Sequence, residues 1–126
     1  MKITVNPATQ ASGNFGFAPE GEYQLRVVEA EVRQGKNYPY IAWSFEFVDP
    51  NVKTVEEGKQ VGKIFENTTL KEDSQFGLRN VTDALGLAWG EFDTDEVKGM
   101  TLSAKVGIEE YEGTRKNVVE KFIPVK

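Results

Sequence analysis

Two short segments of the sequence place positively charged side chains beside aromatic or amide groups. One segment, residues 33–40, contains no acidic residue and carries Arg33, Lys36, Tyr38 and Tyr40. The other lies near the end of the chain and carries Tyr111, Arg115, Lys116 and Asn117. Cations neutralise phosphates, and aromatic rings stack on nucleobases at about 1–3 kcal/mol per base. Both segments therefore predict contact with a nucleic acid whose bases are unpaired.

Three further residues could extend such a surface: Lys63, Phe65 and Lys105. The formal net charge of −5 argues against nucleic-acid binding when taken alone. However, the acidic residues are concentrated elsewhere, at 56–57 and 93–96, whereas residues 115–126 hold four cations and one acid. One face can therefore be positive although the whole chain is negative.

The sequence contains neither histidine nor cysteine. Histidine-dependent nucleophilic dyads, thiolate metal sites and disulfides are therefore excluded. Asp93, Asp95 and Glu96 do not fit a complete calcium loop, and we expect a solvated helix start there instead. We expect no enzymatic activity, no metal and no cofactor, although a carboxylate-based nuclease or sugar-cleaving enzyme stays possible.

Alternating apolar residues predict that these groups are carried on β-strands. In the segment 22–33 the alternation that begins at Tyr23 slips by one residue between Val27 and Val28, which predicts a β-bulge and a bent strand. The next strand, 40–48, has the clearest period of two. Its large apolar residues are Ile41, Trp43, Phe45 and Phe47. Trp43 is therefore expected in the core.

The rest of the chain predicts three more strands, at 61–70, 101–108 and 115–123, and one helix. The adjacent Ile64 and Phe65 leave the facing of the third strand open. The helix is expected to begin at a cap formed by Asp73 or Ser74 and to end at Gly86. Its apolar stripe is Leu78, Val81 and Leu85. A very short helical turn is expected at 93–96.

This order predicts a mostly β domain, a five-stranded OB-type Greek-key barrel with one short helix between strands 3 and 4. In that arrangement the ligand lies across strands 2 and 3, and the two hairpins that carry the cationic segments flank the groove. Another small barrel or an α+β meander would also fit. Residues 1–20 are expected to form an N-terminal arm anchored by Phe15 and Phe17, and residues 21–126 the domain.

Several runs of residues together resemble small phage-encoded single-stranded DNA-binding proteins of the OB fold. The runs are Gly21-Glu22-Tyr23, Tyr40 to Phe47, Gly62 to Phe65, Leu78 to Leu87, Gly99 before the fourth strand, Glu110 to Val118 and Phe122-Ile123-Pro124. The resemblance covers residues 20–124 and implies binding of single-stranded DNA. Some members carry an acidic C-terminal tail that recruits replication proteins, whereas this chain ends Pro124-Val125-Lys126.

We therefore expect a sequence-tolerant single-stranded DNA-binding protein that coats transient strands during phage replication or recombination. Phage or host replication proteins and a second copy of the chain are further possible partners. The alternative is a non-enzymatic phage interaction or structural protein that binds no nucleic acid. The sequence has no secretion signal and no apolar run near ~20 residues, so we expect no membrane partner and a cytoplasmic location in the host cell.

Overall fold

The structure, a computed structural model, describes residues 15–52, 54–55, 60–90 and 93–125. These residues form seven strands: β1 (Phe15–Gly16), β2 (Gly21–Gln34), β3 (Pro39–Phe47), β4 (Gln60–Val61), β5 (Ile64–Thr69), β6 (Thr101–Tyr111) and β7 (Thr114–Ile123). A 3-10 helix, Glu72–Ser74, precedes the α-helix α1 (Phe76–Leu85). The mostly β class and the helix between the third and fourth long strands are confirmed.

The five long strands form one antiparallel sheet in the order β5-β3-β2-β6-β7. Strand β2 is central and pairs with β6 through its first half and with β3 from Leu25 onward. The register of β2 against β3 shifts between Val27 and Glu29, so Val28 is the extra residue. The β-bulge expected from the slip in alternation is confirmed, and it turns the second half of β2 away from β6.

The core lies on one face of this sheet, under α1. Trp43, Phe45 and Ile41 are buried, and the Trp43 Nε1 donates a hydrogen bond to the Thr68 Oγ1 at 2.8 Å. From α1 the core receives Leu78, Val81, Ala84 and Leu85. The period of two in β3 and the apolar stripe of α1 therefore both identified the buried sides correctly.

The third predicted strand is divided in two. Gly62 and Lys63 separate β4 from β5, and β4 pairs in parallel with β1 rather than with the main sheet. In β5 the ambiguity of the sequence is resolved, because Ile64 faces the core and Phe65 faces solvent.

Two local expectations are wrong. Gln75 occupies the N-cap position of α1, while the Ser74 hydroxyl donates to the Asp73 carboxylate. The residues at 93–96 form a turn instead of a helix, in which the Glu96 N–H donates to the Asp93 carbonyl. Gly86 does end the helix, with a positive φ of 77°.

The expected five-stranded barrel is not closed, because the sheet is open. Among the described residues, no strand pairing joins β5 to β7, the two edges of the sheet. The edges instead line a shared gap, whose walls include Asn67 from β5 and Val119 from β7. Gly77 and Asn80 of α1 also line this gap.

The residues just before β2 belong to the packed structure. Phe17 and Ala18 are buried, in agreement with the expected anchor at Phe17. The Phe15 side chain and residues 1–14 lie outside the described part of the chain. Within that part, no helix has the length and apolar character needed to cross a membrane.

Candidate nucleic-acid interface

The side chains of β3 and β5 that alternate with the core residues share one side of the sheet, here called the outer face. It comprises Tyr40, Ala42 and Ser44 on β3 and Phe65, Asn67 and Thr69 on β5, of which Ser44 is buried. Tyr40 pairs with Thr69, and Ser44 pairs with Phe65. These pairs fix the two ends of the outer face about 13 Å apart along the strand.

Phe65 marks one end of the outer face. Its side chain is 69% exposed, which is unusual for a large apolar ring on a strand. Lys63 is exposed two residues earlier. Lys116 of β7 lines the same cleft as Phe65, a space of about 480 Å³ between the edge strands. A cation from the last hairpin and a ring from β5 are therefore brought together.

Tyr38 marks the other end, in the loop between β2 and β3. Its ring is 49% exposed, and the Lys71 Nζ lies 5.1 Å from its centroid. The Leu70 N–H donates to the Pro39 carbonyl, which brings the start of the helical region beside this loop. The sequence reasoning missed Lys71. The sequence feature that could have identified Lys71 is its position directly after the predicted third strand, because an antiparallel sheet places that position next to the first hairpin.

The cations of the predicted site fall into two groups. Arg33, Lys105 and Arg115 form ion pairs with Glu31 at 3.1 Å, Glu120 at 3.5 Å and Glu110 at 3.4 Å. In contrast, Lys36, Lys63 and Lys116 make no ion pair within the described residues. Because a paired cation must first lose its carboxylate partner, the three unpaired lysines are the better phosphate ligands.

Two predicted residues lie apart from the outer face. Lys105 is on β6, opposite Glu22 on one side and Lys121 on the other. Asn117 is buried, and its amide is engaged by the backbone. The Asn117 Nδ2 donates to the carbonyls of Ala18 at 3.0 Å and Gly107 at 3.2 Å, and its Oδ1 accepts from the Ala18 N–H at 2.7 Å. Asn117 is therefore removed from the candidate site.

The two remaining predicted aromatic residues are Tyr40 and Tyr111. Tyr40 is half-buried, and its ring lies beside Gly35, where an added Cβ would approach the Tyr40 Cδ1 to 3.3 Å. The backbone of Tyr111 is on β6, opposite Thr114, but its side chain lies outside the described part of the structure.

The cleft beside Phe65 also contains two acids, Glu66 and Glu109. Burial raises the pKa of Glu66, and the charge of Glu109 raises it further, while a hydrogen bond from the Asn67 backbone opposes the shift. Carboxylates in this position repel a phosphate. Lys116 lines the same cleft and partly offsets this repulsion.

A second aromatic group lies on and beside α1. The Arg79 guanidinium lies 5.7 Å from the Trp89 ring centroid, and Phe76 is 72% exposed. No motif in the sequence pointed to these residues, because a lone aromatic at a helix start has no periodic signal.

The fold and surface define a class of protein: a mostly β domain with one open five-stranded sheet, whose outer face carries aromatic rings and has lysines beside it. The chain matches the family described as "Protein of unknown function (DUF669)" over residues 3–125, and it belongs to that family. A search of the curated proteins found no match.

Proposed function

We propose that this protein binds single-stranded DNA without strong sequence preference and coats transient strands during phage replication or recombination. One observation carries the proposal: exposed rings stand at both ends of the outer face, each beside a lysine. Tyr38 has Lys71, which also forms an ion pair with Asp73 at 3.5 Å, and Phe65 has Lys63 and Lys116 nearby. Sequence-tolerant binding of single strands needs stacking platforms and cations along one path.

The strand order supports an OB-type arrangement. Strands β2, β3 and β5 correspond to the first three strands of that fold, and β6 and β7 follow the helix. OB folds are partly open barrels, and their ligands lie across the second and third strands between two flanking loops. In this chain those strands are β3 and β5, which carry the outer face.

The resemblance to phage single-stranded DNA-binding proteins points in the same direction, because its second run falls on β3 and its third run ends at the start of β5. The unpaired lysines supply local positive charge, although the net charge of the chain is −5. Rings supply affinity that does not depend on salt, and lysines supply affinity that does.

The test is fluorescence anisotropy of a labelled oligothymidine across a series of salt concentrations. We expect saturable binding at low salt, with log K falling against log[salt] at a slope of about −2 if three lysines contact phosphates. Absence of binding at low salt would overturn the proposal and favour the alternative, an interaction or structural protein that binds no nucleic acid.

Two lysine variants locate the path of the strand. Lys116→Ala should weaken binding and make the slope shallower by about 0.7. Lys105→Ala is the matched control, since this exposed lysine is paired with Glu120 and lies away from the outer face. Equal losses in both variants would show attraction by overall charge and not a defined path.

A further inference from the structure

The second half of β2 has an unpaired edge. Its first half pairs with β6 as far as Arg26, and the neighbouring loop bonds to Val27 and reaches Glu29 through Lys98 at 3.0 Å. Beyond that point, residues 30–34 pair with β3 on one side only, within the described part of the chain. Exposed backbone N–H and C=O groups of this kind are a template for another strand.

The side chains along this edge are self-complementary. Glu31 and Arg33 lie on the same side of the sheet as the outer face, and Val32 lies on the opposite side. Val32 is 54% exposed although it is β-branched and lies at an apolar position of the alternation. The end of a solvated strand gives no structural reason for an exposed valine between two opposite charges.

We propose that two copies of this protein associate through residues 30–34 of β2, paired antiparallel about a two-fold axis at Val32. In this register Val32 faces Val32 of the second copy, and Glu31 faces Arg33 of the second copy, so that both ion pairs form by symmetry. Main-chain hydrogen bonds supply the affinity, and the cross-strand charges fix the register.

The dimer would join the strands β5, β3 and β2 of each copy into one six-stranded sheet. Opposed residues in an antiparallel pair lie on the same face, so the outer faces of the two copies would lie on the same side. Glu31 and Arg33 form an ion pair within one chain at 3.1 Å, so the dimer would exchange two intrachain pairs for two pairs across the axis. This inference is independent of DNA binding and is tested without DNA.

The first experiment introduces a cysteine, which is then the sole thiol because the sequence contains no cysteine. Val32→Cys should give a covalent dimer on mild oxidation, because directly opposed Cβ atoms are about 4.5–5.5 Å apart and a small approach brings them to the ~3.5–4.5 Å of a disulfide. Val55→Cys is the matched control, since Val55 is 56% exposed and lies in another part of the surface. Equal crosslinking of the two variants, or none at residue 32, would overturn the proposal.

The second experiment uses charge reversal and sedimentation velocity over a range of protein concentrations. Glu31→Arg and Arg33→Glu should each be monomeric at concentrations where the unchanged protein dimerises. An equal mixture of the two variants should dimerise again, because each then supplies the charge that the other lacks. Circular dichroism confirms that both variants are folded. A monomeric unchanged protein, or a mixture that stays monomeric, would refute this register.

Discussion

At the scale of single residues, the exposed ring of Phe65 is the clearest sign of a binding surface. Hydrophobic burial cannot explain a phenylalanine that is 69% exposed beside the buried Ile64. Its position opposite Ser44, a small residue, leaves one side of the ring open to a flat partner. Substitution of Phe65 therefore distinguishes a role in stacking from a role in the fold.

We predict that Phe65→Ala weakens oligothymidine binding about 5- to 150-fold, the loss expected for one stacked base. The slope of log K against log[salt] should not change, since no charge is removed. The free energy of unfolding should change by less than about 0.5 kcal/mol. Phe76→Ala is the control, because that ring is equally exposed but begins α1. If both variants bind like the unchanged protein, Phe65 is not a stacking platform.

A second residue-scale prediction concerns pH. Burial, with the charge of Glu109, raises the pKa of Glu66 in the folded state. The folded chain therefore binds the proton of Glu66 more tightly than the unfolded chain, and the ionised carboxylate costs stability above the folded-state pKa.

Glu66→Gln should accordingly raise Tm at neutral pH, by about 1–3 °C for a half-exposed group. This advantage should disappear as the pH falls through the raised folded-state pKa toward the ordinary glutamate value. Thermal denaturation of both proteins from pH 7 down to pH 4 measures it. A constant difference at every pH would show that the carboxylate is not the cause.

At the scale of elements, the strand alternation predicted more than the local caps did. The period of two in β3 identified the buried Trp43, and the slip at Val28 identified the bulge. These features depend on neighbours in sequence. The role of Asn117 could not be predicted, since its partner Ala18 is 99 residues away. Likewise, the contact of Lys71 with Tyr38 follows from pairing between elements, which no local pattern encodes.

We predict that Asn117→Ala lowers the free energy of unfolding by about 2–4 kcal/mol, because it leaves the buried N–H and C=O of Ala18 without partners. Tm should fall by roughly 10 °C. Asn117→Asp keeps the acceptor for the Ala18 N–H but turns a buried carboxylate oxygen toward the carbonyls of Ala18 and Gly107, so at neutral pH its loss should be at least as large. Asn80→Ala, at an exposed position of α1, serves as control. If Asn117→Ala melts like the control, the bonds to Ala18 contribute little.

At the scale of the whole molecule, the sequence predicted the order of strands along the chain and the position of the helix, but it predicted a barrel where the structure has an open sheet. Whether a sheet closes depends on the tilt and stagger of every strand, which have no signature in residue types. The candidate site, likewise, was predicted in part from the sequence and in part required the fold. Its rings and its lysines other than Lys71 were predicted from the sequence, whereas the division into paired and unpaired cations required the folded arrangement.

The bonds between Ala18 and Asn117 also bear on how the chain acquires its structure during synthesis. At about 5–20 residues per second, the ribosome adds Asn117 roughly 5–20 s after Ala18. Throughout that interval the backbone of Ala18 has water as its partner, and the segment must stay accessible until the last hairpin arrives. The amide proton of Ala18 should then exchange with solvent only when the entire domain opens, making it a reporter of global unfolding.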